Sequence, residues 1–216
     1  MFIRARTENQ FQERRNEIIN ATEKLYRSFS FRQINFARIS QETNIARSTI
    51  YNYYLNKEEI FLDIIERHYL KLAQHIQNEF LIEQFNKETF IKKLTDIFLK
   101  HYDLFILITY YLEQIEYVCS QKKLNDFKMH IKPFFDNVGK IAEVQLKNPS
   151  EEEINYFRQF FFSAMFGIVP ACSPIDKQEI AMKKAGTYIE FNKNEFISEY
   201  LSAIYSKFDN KFAIWN

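Results

Sequence analysis

Ile39-Ser-Gln-Glu-Thr-Asn-Ile-Ala-Arg-Ser-Thr-Ile-Tyr-Asn-Tyr-Tyr54 is the stretch whose reading decides the fold. Its apolar anchors Ile39, Ile45 and Ile50 fall where two short helices meet across a turn. Helices that cross closely need a small residue at the crossing, and Ser40 supplies it. The turn needs a residue that tolerates the left-handed conformation, and Asn44 stands there. With the isoleucines inward, Arg47, Ser48, Tyr51 and Asn52 are left on the outward face of the second helix. These types suit a DNA major groove: Arg pairs with guanine edges, Asn with adenine, and Ser and Tyr reach phosphate or base.

Outward from this segment the signals are helical. Upstream, Ile18, Ala21, Thr22, Leu25 and Phe29 recur at helical spacing and predict a helix over 8–28. Asn35 is a good N-cap for the helix that carries Phe36 and Ile39. Downstream, Asn56 and Glu59 form a capping pattern for a long helix to about residue 82, with Phe61, Ile64, Ile65, His68, Leu72 and Ile76 on one face. Asn86 caps a helix to about residue 101, and Asp103 caps an apolar one to about residue 120. The region 122–147 reads as helical, with Pro133 either starting or kinking a helix. Ser150 and Glu153 make a capping box before a helix over 154–171, and a last helix covers 194–208. Residues 176–192 stay ambiguous, because Gly186 and the Tyr188-Ile-Glu-Phe run weaken a helix there.

Three Gly and four Pro supply few of the tight turns that sheets need, so the chain is expected to be all-α. Residues 1–57 hold ten Lys/Arg against five Asp/Glu, while 58–216 hold 19 against 23. A basic end on a near-neutral chain is an electrostatic footprint for phosphate. Cys119 and Cys172 are far apart and outside any C-x-x-C pattern, which fits two free thiols in a reducing cytoplasm. The N-terminus has no apolar core of a secretory signal, and the apolar runs 104–112 and 160–171 are too short to span a bilayer. A cytoplasmic location with no membrane partner is expected.

The central segment resembles the tetracycline-repressor (TetR) family of regulators, whose pattern runs I-A-x-x-A-G-V-S-x-G-T-L-Y-x-Y-F-x-x-K-E. It appears here as Ile39-Ser40, Asn44-Ile45-Ala46, Thr49-Ile50-Tyr51, Tyr53-Tyr54 and Lys57-Glu58. The likeness covers about residues 10–65. Asn44 replaces the family's turn Gly, Ala46 its capping Ser, and Ser48 a Gly at the DNA surface. The resemblance implies a helix-turn-helix domain over 1–57 and a helical effector-binding and dimerisation domain over 58–216. It also implies a near-palindromic double-stranded operator, a homodimer, and repression released by a small apolar or aromatic ligand. Asn35, Arg47, Ser48, Thr49, Tyr51, Asn52 and Lys57 would face DNA, with Tyr51 and Lys57 on phosphates. Tyr53 reads as packing rather than contact, and Arg4 and Arg6 as solvated terminal cations.

The larger half carries many of the 23 Phe and 13 Tyr. Phe105, Tyr110, Tyr111, Tyr117, Phe134, Phe161 and Met165 are candidates to line a ligand pocket, with Glu113 and His101 supplying polar specificity. The 157–168 run is apolar nearly all round, as for a helix between a core and a partner subunit. Phe160, Ala164 and Ile168, with Ile197, Leu201, Ile204 and Tyr205 of the last helix, are expected at a two-fold four-helix interface. Release of DNA would be a population shift in which the helix after Lys57 swings the reading heads out of register. The alternative is a DNA-binding regulator with no small ligand, controlled by a protein partner. An enzyme is not expected. No His follows a Glu by three residues, and no H-E-x-x-H, phosphate loop or G-x-S-x-G elbow occurs, so no catalytic, metal or cofactor site is predicted.

Overall fold

A computed structural model describes residues 8–212, and Arg4 and Arg6 lie outside them. The described residues are helical, with no strand among them. The elements are α1 (Glu8–Tyr26), a 3-10 turn (Phe31–Gln33), α2 (Phe36–Thr43), α3 (Arg47–Ile50), α4 (Lys57–Phe80) and α5 (Lys87–Lys100). Then follow α6 (Tyr102–Val118), α7 (Gln121–His130), α8 (Lys132–Gln145), α9 (Glu151–Cys172), α10 (Asp176–Ala185), α11 (Lys193–Ile204) and a 3-10 turn (Tyr205–Phe208). The cap signals act as expected. Asn35, Asn86 and Ser150 accept backbone N–H groups from Arg38, Thr89 and Glu153, each satisfying a donor that the helix start leaves free.

Two stretches left open in sequence are decided. The 122–147 region is two helices, and Pro133 lies in the first turn of α8, where its missing N–H costs nothing. Residues 176–185 form α10, which ends at Gly186 in the left-handed region (φ 69°), and 187–192 are non-helical. Asp103 sits inside the first turn of α6 rather than at its cap.

The chain divides into two compact units, residues 1–67 with 112–129, and 68–111 with 130–216. The first therefore contains a second length of chain that a division at residue 57 does not include. Its core is Ile18, Leu25, Phe31, Ile39, Ile50, Phe61 and Ile65, and Phe61 meets the edges of Phe31 (4.7 Å) and Tyr26 (5.5 Å). In the second unit α9 packs on α8 and α11, and α11 on α5. Its centre is a continuous run of rings: Phe98 lies 5.0 Å from Phe105 and 5.5 Å from Phe161, which lies 6.0 Å from Phe134. Gln145, fully buried, donates to the carbonyls of Phe80 and Glu83 and accepts from the Phe85 N–H, so it pins the α4–α5 connection.

The second unit corrects part of the expected dimer face. Ala164, Ile168, Ile197, Leu201 and Tyr205 are buried within the single chain, so they fill its own core and cannot face a partner. Phe160 and Ile204 are half-buried. Beside these positions the same helices expose Ser163, Phe166, Gly167 and Pro170 in the second half of α9 and Ala203 near the end of α11, with Tyr200 half-buried.

Candidate nucleic-acid interface

The turn between α2 and α3 is held by side chains on both sides. Asn44 adopts φ 54° and ψ 18°, the left-handed conformation that an Asn carries at low cost. Ser40 is more than small: its hydroxyl donates to the Ile45 carbonyl at 2.7 Å. Thr43, buried, donates to the Ile39 carbonyl (2.8 Å) and accepts from the Ile45 N–H (3.2 Å), so both backbone groups of Ile45 are paired with side chains. Ile39, Ile45 and Ile50 are buried, as the spacing requires.

This frame orients the outward residues. Asn44, Ala46, Arg47, Ser48 and Asn52 are exposed, and Tyr51 is 49% exposed. Tyr51 rests edge-on against Phe36 with ring centroids 4.8 Å apart, which leaves its hydroxyl at the surface, 3.4 Å from an Arg47 guanidinium nitrogen. Thr49 is half-buried, and its N–H is already used by the Ala46 carbonyl at 2.8 Å. Asn35 caps α2 from an exposed position. Tyr53 stacks on Phe11 of α1 at 4.6 Å, a packing role.

Lys57 is drawn inward. Its Nζ donates to the Phe31 carbonyl at 2.7 Å and lies 4.4 Å from the centre of the Phe31 ring. Burial lowers its pKa, with Glu58 opposing. The start of α4 is closed by side chains as well: Asn56 accepts from the Glu59 N–H, and the Glu59 carboxylate accepts from the Leu55 N–H.

A cluster behind the reading face escapes sequence reasoning. The Asp63 carboxylate, 5% exposed, accepts from the Tyr54 hydroxyl (2.6 Å) and from Arg15 (2.7 and 3.0 Å) on one oxygen, and from Lys123 of α7 on the other. Arg15 also donates to the Tyr54 hydroxyl at 3.2 Å. Burial and then the Asp63 charge push the Tyr54 pKa well up. Burial alone lowers that of Arg15, but Asp63 and Tyr54 outweigh it and the guanidinium stays charged. The only hint in sequence is one acid inside the apolar run Ile60-Phe-Leu-Asp63-Ile-Ile65.

The candidate ligand residues are placed as follows. Phe105, Phe134, Phe161 and Met165 are buried in the second unit, and three of them belong to its ring run. Tyr110 donates to the Ser173 carbonyl at 2.9 Å, and Tyr111 lies beside it, 6.4 Å between ring centres. His101 is buried and hydrogen-bonds His75 at 3.0 Å. Burial, then the neighbouring His75, His68, Lys100 and Lys71, lowers the His101 pKa to about 4. Glu113 is exposed and Tyr117 is 91% exposed, both on the part of α6 that belongs to the first unit. A groove of about 850 Å³ opens between α5 and α11, with Glu88, Asp96, Glu195 and Glu199 on its polar walls.

Residues 18–64 match the family model described as bacterial regulatory proteins, tetR family. No curated protein matches the chain as a relative. Among solved structures it is similar to the fatty acid degradation regulator FadR from Bacillus halodurans, at 15% identity and a TM-score of 0.57, over 88% of this chain and 93% of that one. It is also similar to the transcriptional regulator FadR from Bacillus subtilis in complex with stearoyl-CoA: 14% identity, TM-score 0.56, 88% and 97% of the two chains. A putative TetR-family regulator from Syntrophomonas wolfei matches at 18% identity and a TM-score of 0.54, over 95% and 99%.

Proposed function

We propose that the chain is a repressor that binds a near-palindromic operator as a homodimer, a reading supported by the match of residues 18–64 to the model of the tetR family of bacterial regulatory proteins. The observation that carries this reading is the exposed set Arg47, Ser48, Tyr51 and Asn52 on a turn locked by Ser40, Thr43 and Asn44. Arg47 and Asn52 read bases, and Tyr51 and Ser48 hold phosphate or base. Lys57 contributes charge near the phosphates while bonded to the Phe31 carbonyl. The partner subunit meets the outward sides of α9 and α11, through Phe160, Ser163, Phe166 and Gly167 with Tyr200, Ala203 and Ile204.

The effector we propose is a molecule with a long apolar chain, in keeping with the stearoyl-CoA named for the Bacillus subtilis neighbour. It enters the aromatic body of the second unit, among Phe105, Phe134, Phe161 and Met165. Those rings already touch one another, so entry requires them to part. That contact also supports a second reading, in which a protein partner and not a small ligand controls the chain.

Selection of bound duplexes from a random pool tests the operator. The wild type enriches one near-palindromic sequence, and Arg47→Ala and Asn52→Ala each lose about 1–3 kcal/mol of discrimination at one base position. Retention of the wild-type preference by both variants sinks the assignment of reading residues. Binding weakens steeply with salt, because phosphate neutralisation releases counterions. Stearoyl-CoA lowering the operator affinity supports the small ligand, and unchanged affinity favours the protein partner.

A further inference from the structure

The Asp63 cluster joins four parts of the first unit that lie far apart in sequence: Arg15 on α1, Tyr54 just after α3, Asp63 on α4 and Lys123 on α7. Of these, α7 is polar in sequence, and Phe127 is its one buried residue. Lys123 also stands where a helix does not favour it, in a first turn that carries no acid and whose N–H groups already present positive charge. The lysine there satisfies the buried Asp63 oxygen. The hydroxyl that brings the reading segment into the cluster is that of Tyr54.

We propose that Lys123 is a positioning residue: through the Asp63 carboxylate, α7 latches the Tyr54 end of the reading segment and fixes the register of residues 47–54. The latch joins one salt bridge to one hydroxyl. When Lys123 leaves, one Asp63 oxygen loses its partner, the carboxylate turns toward Arg15, and Tyr54 moves with it. The proposal rests on the operator-binding reading for its functional meaning, but not for its first test.

That test is amide hydrogen exchange of the full chain without DNA, for the wild type, Lys123→Met, Lys123→Arg and Tyr54→Phe. Lys123→Met speeds exchange over residues 47–56 about tenfold, leaves 18–25 in α1 within about twofold, and Lys123→Arg restores the slow rates. Tyr54→Phe gives the same local rise from the other side, and decides the matter if Lys123→Met does not fold. No rise over 47–56, or an equal rise throughout residues 8–67, overturns the latch. The second test compares affinities for the selected operator and for random duplex. Lys123→Met lowers the first about tenfold and the second little, because phosphate contacts carry non-specific binding. Equal losses on both overturn the proposal. A wild type that selects no sequence overturns the operator reading instead, and the exchange result still decides the latch.

Discussion

At the scale of single residues, Asn44 and Thr43 decide the geometry of the reading face. Asn44→Ala keeps a β-carbon in the left-handed region but removes the short polar side chain that eases it, and costs about 1 kcal/mol, whereas Asn44→Gly is close to neutral. Thr43→Val keeps the shape but strips a buried Ile45 N–H of its acceptor, and costs about 1–3 kcal/mol. Thermal or urea unfolding of the three variants checks these values. His101 gives a pH dependence with a definite sign. Its folded pKa of about 4 lies below the ordinary 6.5, because burial opposes the charged ring. The unfolded chain therefore takes up this proton first as pH falls. The stability tied to neutral His101 is complete above about 6.5 and is lost progressively down to about 4. His101→Gln, which cannot titrate, flattens the fall of melting temperature over that window, and an unaltered fall sinks the assignment to His101.

At the scale of elements, caps are what the sequence announces most clearly. Ser150→Ala removes one arm of the capping box of α9 and costs about 1 kcal/mol of stability, read as a lowered urea midpoint. Asn35, Asn56, Asn86 and Ser150 are legible because a cap is a contact within three residues. The turn at Asn44 is legible for the same reason. The facing of α9 is not. From Phe157 to Ile168 nearly every position is apolar, so periodicity cannot say which side meets the core. Ala164 and Ile168 turn inward, while Phe166 and Gly167 turn out. The Asp63 cluster is illegible for a third reason: its four side chains come from positions 15, 54, 63 and 123, and only folding brings them together.

At the scale of the whole molecule, the exposed side of α9 is the proposed dimer face. A β-carbon on Gly167 meets only the Tyr200 hydroxyl, at 3.7 Å, so Gly167→Glu is tolerated by the single chain. It puts a charge in the centre of the proposed interface. The variant sediments as a monomer, keeps its helical circular dichroism, and binds the operator at least about tenfold more weakly, since a buried unpaired charge costs several kcal/mol. A persistent dimer in sedimentation rejects this face. The discontinuous make-up of the first unit has a consequence for engineering and for descent. Residues 1–67 carry Asp63, but the cation that completes it arrives with 112–129. A chimera spliced at residue 67 moves half of an ion pair into a host that has no reason to provide the other half. Residues 1–67 are therefore not a portable cassette, and on the proposed reading point changes at 47, 48 and 52 alter specificity with less disturbance than exchange of whole segments.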